Sequence, residues 1–361
     1  MPKQEGTLTE VQAQSYFWQE FSDRQILSLR LCDLGLSLDS SPLVPLMDQV
    51  LSELKSKGLV FRPHFWISTE WFCPDGIGGV AVPFFLLHPR LQRLERDLIG
   101  EVDGGRRVQA LKILRHEVGH ALDNAFRLHR ERERQEVFGP SDLPYPESYS
   151  PKPYSRHFVS HLQPGYAQSH PLEDFAETFA VWLDPHSRWR QRYNGQPAFK
   201  KLLYLDQRMR ALRGQRPQLR TRRSYEPLHR LKQSLRDHYL QRQRHLGLGR
   251  RGSPWEQRLR EILARARGGR WSERASAEKL LLRLEPDARR QVAQAIGEPQ
   301  YRISQVIREL RFYARHWDQS QGVLGRSPVP PVSASLRRDF LDLVTERSLE
   351  HLKRGPYRVM L

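Results

Sequence analysis

Residues 106–130 read RRVQALKILRHEVGHALDNAFRLHR, and the rest of the chain is best understood from this stretch outward. It holds no proline, and Val108, Leu111, Leu114, Val118 and Leu122 recur at the three- and four-residue intervals of one helix face. At its centre, His116-Glu117-Val118-Gly119-His120 puts two imidazoles one helical turn apart, so both point the same way and can share one metal ion. A neutral histidine pair selects a borderline ion, Zn²⁺, and Glu117 beside it has the character of a general base. The alternative is a charged helix face carrying two solvated histidines.

A third ligand separates these readings. Asp123 and Phe126 occupy the positions where an extended three-histidine signature needs glycine and histidine, so the third donor lies elsewhere in the chain. Residues 170–177, HPLEDFAE, offer one. Pro171 suits the first turn of a second helix, which Asp184-Pro185 should end. Within it Glu173 and Glu177 share a face, while Phe175, Phe179 and Trp182 bury the other sides. Two carboxylates stacked on a half-buried helix repel unless positive charge lies beside them. This reading makes Glu173 the third ligand and Glu177 the acceptor of an imidazole's other N–H. Asp174, about 100° away around the helix, is the less favourable ligand. Asp123 and Asn124, just past the motif, are further candidates to support the metal ligands.

The 361 residues include 38% apolar residues, eight Trp, 15 Phe and 12 Tyr, enough for a sizeable core and too much apolar surface for a disordered chain. Only Cys32 and Cys73 are present, which excludes a disulfide framework and a cysteine-based zinc site and suits a reducing compartment, the cytoplasm. The first residues are polar, and the longest uncharged apolar stretch, Gly76 to Pro89, is too short and too rich in Gly and Pro to span a membrane.

The net charge of +18 is unevenly spread. Residues 1–205 carry 24 basic and 25 acidic side chains, residues 206–250 carry 13 and 3, and residues 251–361 carry 22 and 13. We therefore expect a near-neutral domain over 1–205, with N-terminal helices in 1–58 and a core in 59–205. An Arg-rich helical linker over 206–250 and a helical basic domain over 251–361 should follow. The two basic segments predict a polyanionic partner, nucleic acid or another, bound through 206–361.

Within 59–205, His64–Ser68 and Val80–Leu87 read as two strands joined by the Pro- and Gly-rich turn 74–79. Pro83 cannot donate to a ladder, which assigns the second strand to an edge. The six prolines between 139 and 165 predict a long functional loop.

HEVGH paired with a downstream Glu on a second helix resembles the gluzincin zinc peptidases, most closely their lethal-factor-like branch. GYAQSHPLEDFAETFAVWL (165–183) and EWFCPDGIGGVAVPFFLLHPRL (70–91) are similar to the bacterial zinc-binding metallopeptidases. The similarity covers about residues 60–190. It implies an α+β, zincin-like catalytic domain with a small sheet and two active-site helices, ahead of the mostly helical basic region. It further implies zinc on His116, His120 and Glu173, Glu117 as general base, and Tyr166 steadying the oxyanion. Tyr145, Tyr149 and Tyr154 lie in the same region, and His157, His161 and His170 could compete for that last role. The edge strand at Val80, Ala81 and Val82 would pair with an extended peptide or protein substrate. Many members of that family begin with a Cys-rich zinc ribbon, which this chain lacks.

Residues 289–311 place Ala293 before Gly297 and Ile303 and Val306 after it, as in a helix-turn-helix or a plain helical hairpin. In the first case Gln300, Tyr301, Arg302 and Gln305 would face DNA. Three functions follow: a zinc metallopeptidase, a nucleic-acid-associated regulator whose protease domain senses or cleaves one partner, or a scaffold with a closed, structural metal site.

Overall fold

The computed structural model describes residues 15–361 except 147, 150, 247, 249–252, 271–274, 299, 322, 324–327, 354–356 and 359–361. In chain order the elements are α1 (Asp23–Ser28), α2 (Val44–Ser56), β1 (His64–Ser68), β2 (Gly79–Pro83), α3 (Pro89–Ile99), α4 (Arg107–Phe126) and α5 (Arg132–Phe138). They continue with β3 (Ser148–Tyr149), α6 (Pro171–Leu183), α7 (Trp189–Arg192), α8 (Ala198–Ala211) and α9 (Leu235–His245). The last are α10 (Pro254–Arg270), α11 (Ala277–Ile296), α12 (Gln300–Ser320), α13 (Ala334–Lys353) and β4 (Tyr357–Arg358). The chain is thus mostly helical with a small parallel strand pair, an α+β arrangement. Among the described residues, no helix is long and apolar enough to cross a membrane.

Two compact units result: Met1–Leu94 with Val102–Arg236 and Tyr357–Leu361, and Glu95–Glu101 with Asp237–Pro356. Residues 206–236 therefore pack with the first unit. The expected boundary after residue 205 falls inside α8, and 206–250 is not a helical linker: after α8 the chain runs without helix or strand to a single turn at Leu228–Arg230, then enters α9.

In the first unit α4 and α6 pack side by side. Gly119 makes this possible: a β-carbon there would sit 3.0 Å from Phe179 Cδ1 and 3.1 Å from Ala176 Cα. A mid-helix glycine costs about 1 kcal/mol relative to alanine, and here it permits the close approach that aligns the two helices. On another side of α4, Arg115 forms a two-pronged pair with Glu53 of α2, at 2.6 and 2.8 Å, both side chains buried.

The two strands differ from the expected hairpin. β1 and β2 are parallel, His64 opposite Gly79 through Ser68 opposite Pro83. Parallelism arises because the connection crosses to the far edge of β2, where the Ala81 N–H donates to Phe72 O at 2.9 Å, before the chain turns back. Asn124 Nδ2 pins that connection by donating to Pro74 O at 3.0 Å and Ile77 O at 3.2 Å. Consequently the edge expected at Val80, Ala81 and Val82 is occupied at Ala81 by the chain itself, and all three side chains are fully buried.

The second unit is built on α10 to α13. Helices α11 and α12 form an antiparallel hairpin around Gly297, which takes the left-handed conformation at φ 71° that ends α11. Cross-links run from its middle to its open end: Glu285 to Arg311 near the middle, then Glu278 to Arg315, and Asp318 at the start of α11. Of the two alternatives at 289–311, the helices are those of a long hairpin, 20 and 21 residues, instead of the short pair of a helix-turn-helix. Ile303 and Val306 face its core, and Arg302 pairs with Glu298 at 2.9 Å. Gln300 is exposed and Gln305 half-buried, while the Tyr301 side chain lies outside the described residues.

Candidate metal centre

Helix α4 carries His116, Glu117 and His120, and α6 carries Glu173 and Glu177, all buried except for the half-buried His120. His116 Nε2 lies 3.0 Å from Glu173 Oε2 and 3.1 Å from His120 Nε2, and His120 Nε2 lies 3.4 Å from the same oxygen. The three residues offer donor atoms all within 4.8 Å of one another, and among the described residues no fourth His, Cys, Asp or Glu joins them. Two imidazole nitrogens and one carboxylate oxygen are a zinc donor set with a coordination position left over. The residues fit the metal, because electron-rich atoms crowded this closely in a buried space need a cation among them. With only protons to share, burial opposes charge on His116, yet the Glu173 and Glu177 carboxylates outweigh it and push its pKa up to about 10. For Glu173 burial is likewise overcome, and the two histidines hold its carboxyl well below the ordinary range.

Glu177 reaches the other ring nitrogen: its Oε1 lies 3.2 Å from His116 Nδ1, within ion-pair distance though off the line of a well-formed hydrogen bond. Its oxygens also accept from the backbone N–H groups of His161 and Leu162, at 3.1 and 3.2 Å. The loop that supplies those amides is tied to α4 twice, by Lys112 Nζ donating to His161 O at 2.9 Å and His161 Nε2 donating to Lys112 O at 3.0 Å. Glu117 points into the same buried region, and desolvation raises its carboxyl pKa against the opposing pull of both histidines.

Asp174 takes no part, since its Oδ2 accepts from Lys201 Nζ at 2.5 Å. Asp123 is also directed elsewhere: it accepts from the His129 N–H at 2.5 Å and pairs with the fully buried Arg134 at 3.0 Å. It secures the end of α4, where Arg127 adopts a positive φ, and does not support the histidine pair.

The loop 139–165 and the turn after it bring two tyrosines to the site. The Tyr166 ring centroid lies 5.6 Å from that of His116. Tyr145, which sequence reasoning did not single out, donates its O–H to Glu173 Oε1 at 2.8 Å. Its ring stacks on His170 with centroids 4.0 Å apart. His170 caps α6, Nδ1 accepting from the Leu172 N–H and Nε2 donating to Leu143 O, so one histidine fixes both the helix start and the loop that carries Tyr145. Nothing in local spacing signals a contact across 28 residues of proline-rich loop. Tyr154 and His157 are exposed, and the Nε2 atoms of His161 and His170 are spent on carbonyls.

Residues 109–192, under a quarter of the chain, match the sequence model of the family described as "Putative zinc-binding metallo-peptidase". The match spans α4 through α7 and so contains His116, His120 and Glu173, the three residues that could hold a metal ion. No curated protein and no solved structure matches the chain.

Proposed function

We propose that the chain is a zinc-dependent metallopeptidase of the gluzincin class, lethal-factor-like branch, acting on peptide or protein substrates. The observation that carries this reading is the convergence of His116, His120 and Glu173 from two helices beside the buried Glu117. His116 and His120 would hold the ion through Nε2 and Glu173 through a carboxylate oxygen. When bound, zinc supplies a Lewis acid that polarises a carbonyl and acidifies water. Glu117 takes the proton of the attacking water and delivers it to the leaving amine, a role that its raised pKa suits. Tyr166 donates its O–H to the oxyanion; burial and the surrounding carboxylates raise its pKa well above the usual value and keep that proton in place. A donor of this kind is worth about 3 kcal/mol of barrier. Glu177 orients His116, and Tyr145 fixes Glu173.

The test combines metal analysis with peptide cleavage. Wild-type protein should bind about one zinc and cleave members of a peptide library. Glu117→Gln should keep the metal and lose cleavage by a factor of about 10² or more, and Glu173→Ala should lose the metal. Cleavage by Glu117→Gln at the wild-type rate, or a wild-type protein that takes up no zinc, would refute the proposal.

A further inference from the structure

Between Gln207 and Tyr225 the chain holds seven arginines, no lysine and no acidic residue. Arg208 and Arg210 reach carboxylates, on Glu131 and Asp206. The other five, Arg213, Arg216, Arg220, Arg222 and Arg223, are exposed, and among the described residues none of them forms an ion pair with a carboxylate. Five guanidinium groups within eleven residues concentrate positive charge, and whether they present it along a defined path depends on whether the backbone beneath is fastened.

It is fastened along its length. The Gly214 N–H donates to Gly58 O at 3.1 Å, and the Gln218 and Leu219 N–H groups both donate to Ala125 O, at 2.9 and 3.0 Å. Farther on, His64, Trp66 and Ser68, alternate residues on one face of β1, donate to the carbonyls of Arg223, Tyr225 and Glu226 at 2.8, 2.9 and 2.8 Å. This last anchorage leaves the Tyr225 ring 57% exposed, edge-on to Phe72 at 6.4 Å.

We propose that Arg213–Tyr225 is a fixed rail for single-stranded nucleic acid, its guanidinium groups on successive phosphates and the Tyr225 ring under an unpaired base. Guanidinium, planar and weakly hydrated, matches phosphate better than ammonium does, and the stretch contains arginine alone. An open aromatic face beside a cationic track is how sequence-tolerant single-strand binding is built. The rail offers neither a helix nor a strand ribbon to a duplex groove, and with Leu219 and Tyr225 as its only large apolar side chains it has no amphipathic helical face to lay on a lipid surface. This inference does not depend on the peptidase reading.

The experiment uses the full chain and fluorescence anisotropy with labelled oligo(dT) and oligo(U), each across a salt series. Replacing Arg216, Arg220, Arg222 and Arg223 together by Gln should weaken binding about tenfold or more at moderate salt and lower the slope of log K against log salt by about 2 to 3. Removing four charges from the second unit instead, as Arg260, Arg265, Arg283 and Arg290 to Gln, should change both far less. Tyr225→Ala should weaken binding about fivefold or more with an unchanged slope. Circular dichroism and thermal melting of each variant report that the chain stays folded. Equal loss from the two quadruple variants, or tighter binding of duplex DNA, poly-Glu or anionic vesicles than of the single strands, would overturn the proposal.

Discussion

Gly119 Cα faces Phe179 across the α4–α6 interface so closely that a methyl group on the glycine would lie 3.0 Å from the ring and 3.1 Å from the backbone of Ala176. Alanine is favoured over glycine in a helix by about 1 kcal/mol, yet here the steric cost should win, because backbone cannot rotate aside as a side chain can. Gly119→Ala should destabilise the first unit by about 1 to 3 kcal/mol and, by spreading the helices, weaken zinc binding. Denaturant unfolding and zinc titration measure the two effects, and a variant more stable than wild type would show that the helices have room to spare.

Tyr145 is expected to act through Glu173 alone. Burial and the adjacent carboxylates raise its pKa far above the ordinary phenol value, so it stays protonated and remains the donor in the pair. Tyr145→Phe keeps the stacking on His170 and deletes only that hydrogen bond, so zinc affinity should fall by about 10- to 100-fold with little change in melting temperature. Chelator competition reads this directly. An unaltered zinc affinity would mean that Glu173 needs no such support.

At the far end of the α11–α12 hairpin, Asp318 receives three hydrogen bonds from the start of α11: Ala277 N–H at 2.9 Å, Glu278 N–H at 3.0 Å and Ser276 O–H at 2.8 Å. Asp318→Ala leaves those buried donors without an acceptor and should cost the second unit about 1 to 3 kcal/mol. Loss of helical circular dichroism at lower denaturant, with zinc binding intact, is the expected signature.

Buried His238 of the second unit predicts a pH effect. Desolvation first, and the nearby Arg242 second, lower its pKa to about 3 from an ordinary 6.5. Between those values the unfolded chain binds a proton that the folded one refuses, so stability rises with pH through this window and is complete above about 6.5. The slope contributed is at most about 1.4 kcal/mol per pH unit. His238→Gln should flatten it, and an identical pH profile for the variant would remove His238 as the cause.

The two halves of the candidate metal site were legible in the sequence because helical periodicity is local, whereas their meeting is a matter of α4–α6 packing. Once 107–126 and 171–183 are helices, the sharing of a face by His116 and His120, and by Glu173 and Glu177, follows from 3.6 residues per turn. Charge counting likewise separated a near-neutral part from a basic one. The strand pair was misread because a short apolar run carries no information on its partner's direction. Parallel pairing here depends on Phe72 folding against the far edge of β2, under the hold of Asn124. The same limit applied at residue 205, since composition changes there while helix α8 does not.

By itself, then, the sequence determined which side chains stand one helical turn apart and where uncompensated positive charge accumulates, both being properties of neighbours along the chain. Only the tertiary structure decided that Tyr145 holds Glu173, that Asp174 and Asp123 are claimed by Lys201 and Arg134, and that the arginines after α8 lie on an anchored track. Those outcomes turn on which of several competing polar partners comes within about 3 Å, and that is fixed by packing between segments far apart in sequence.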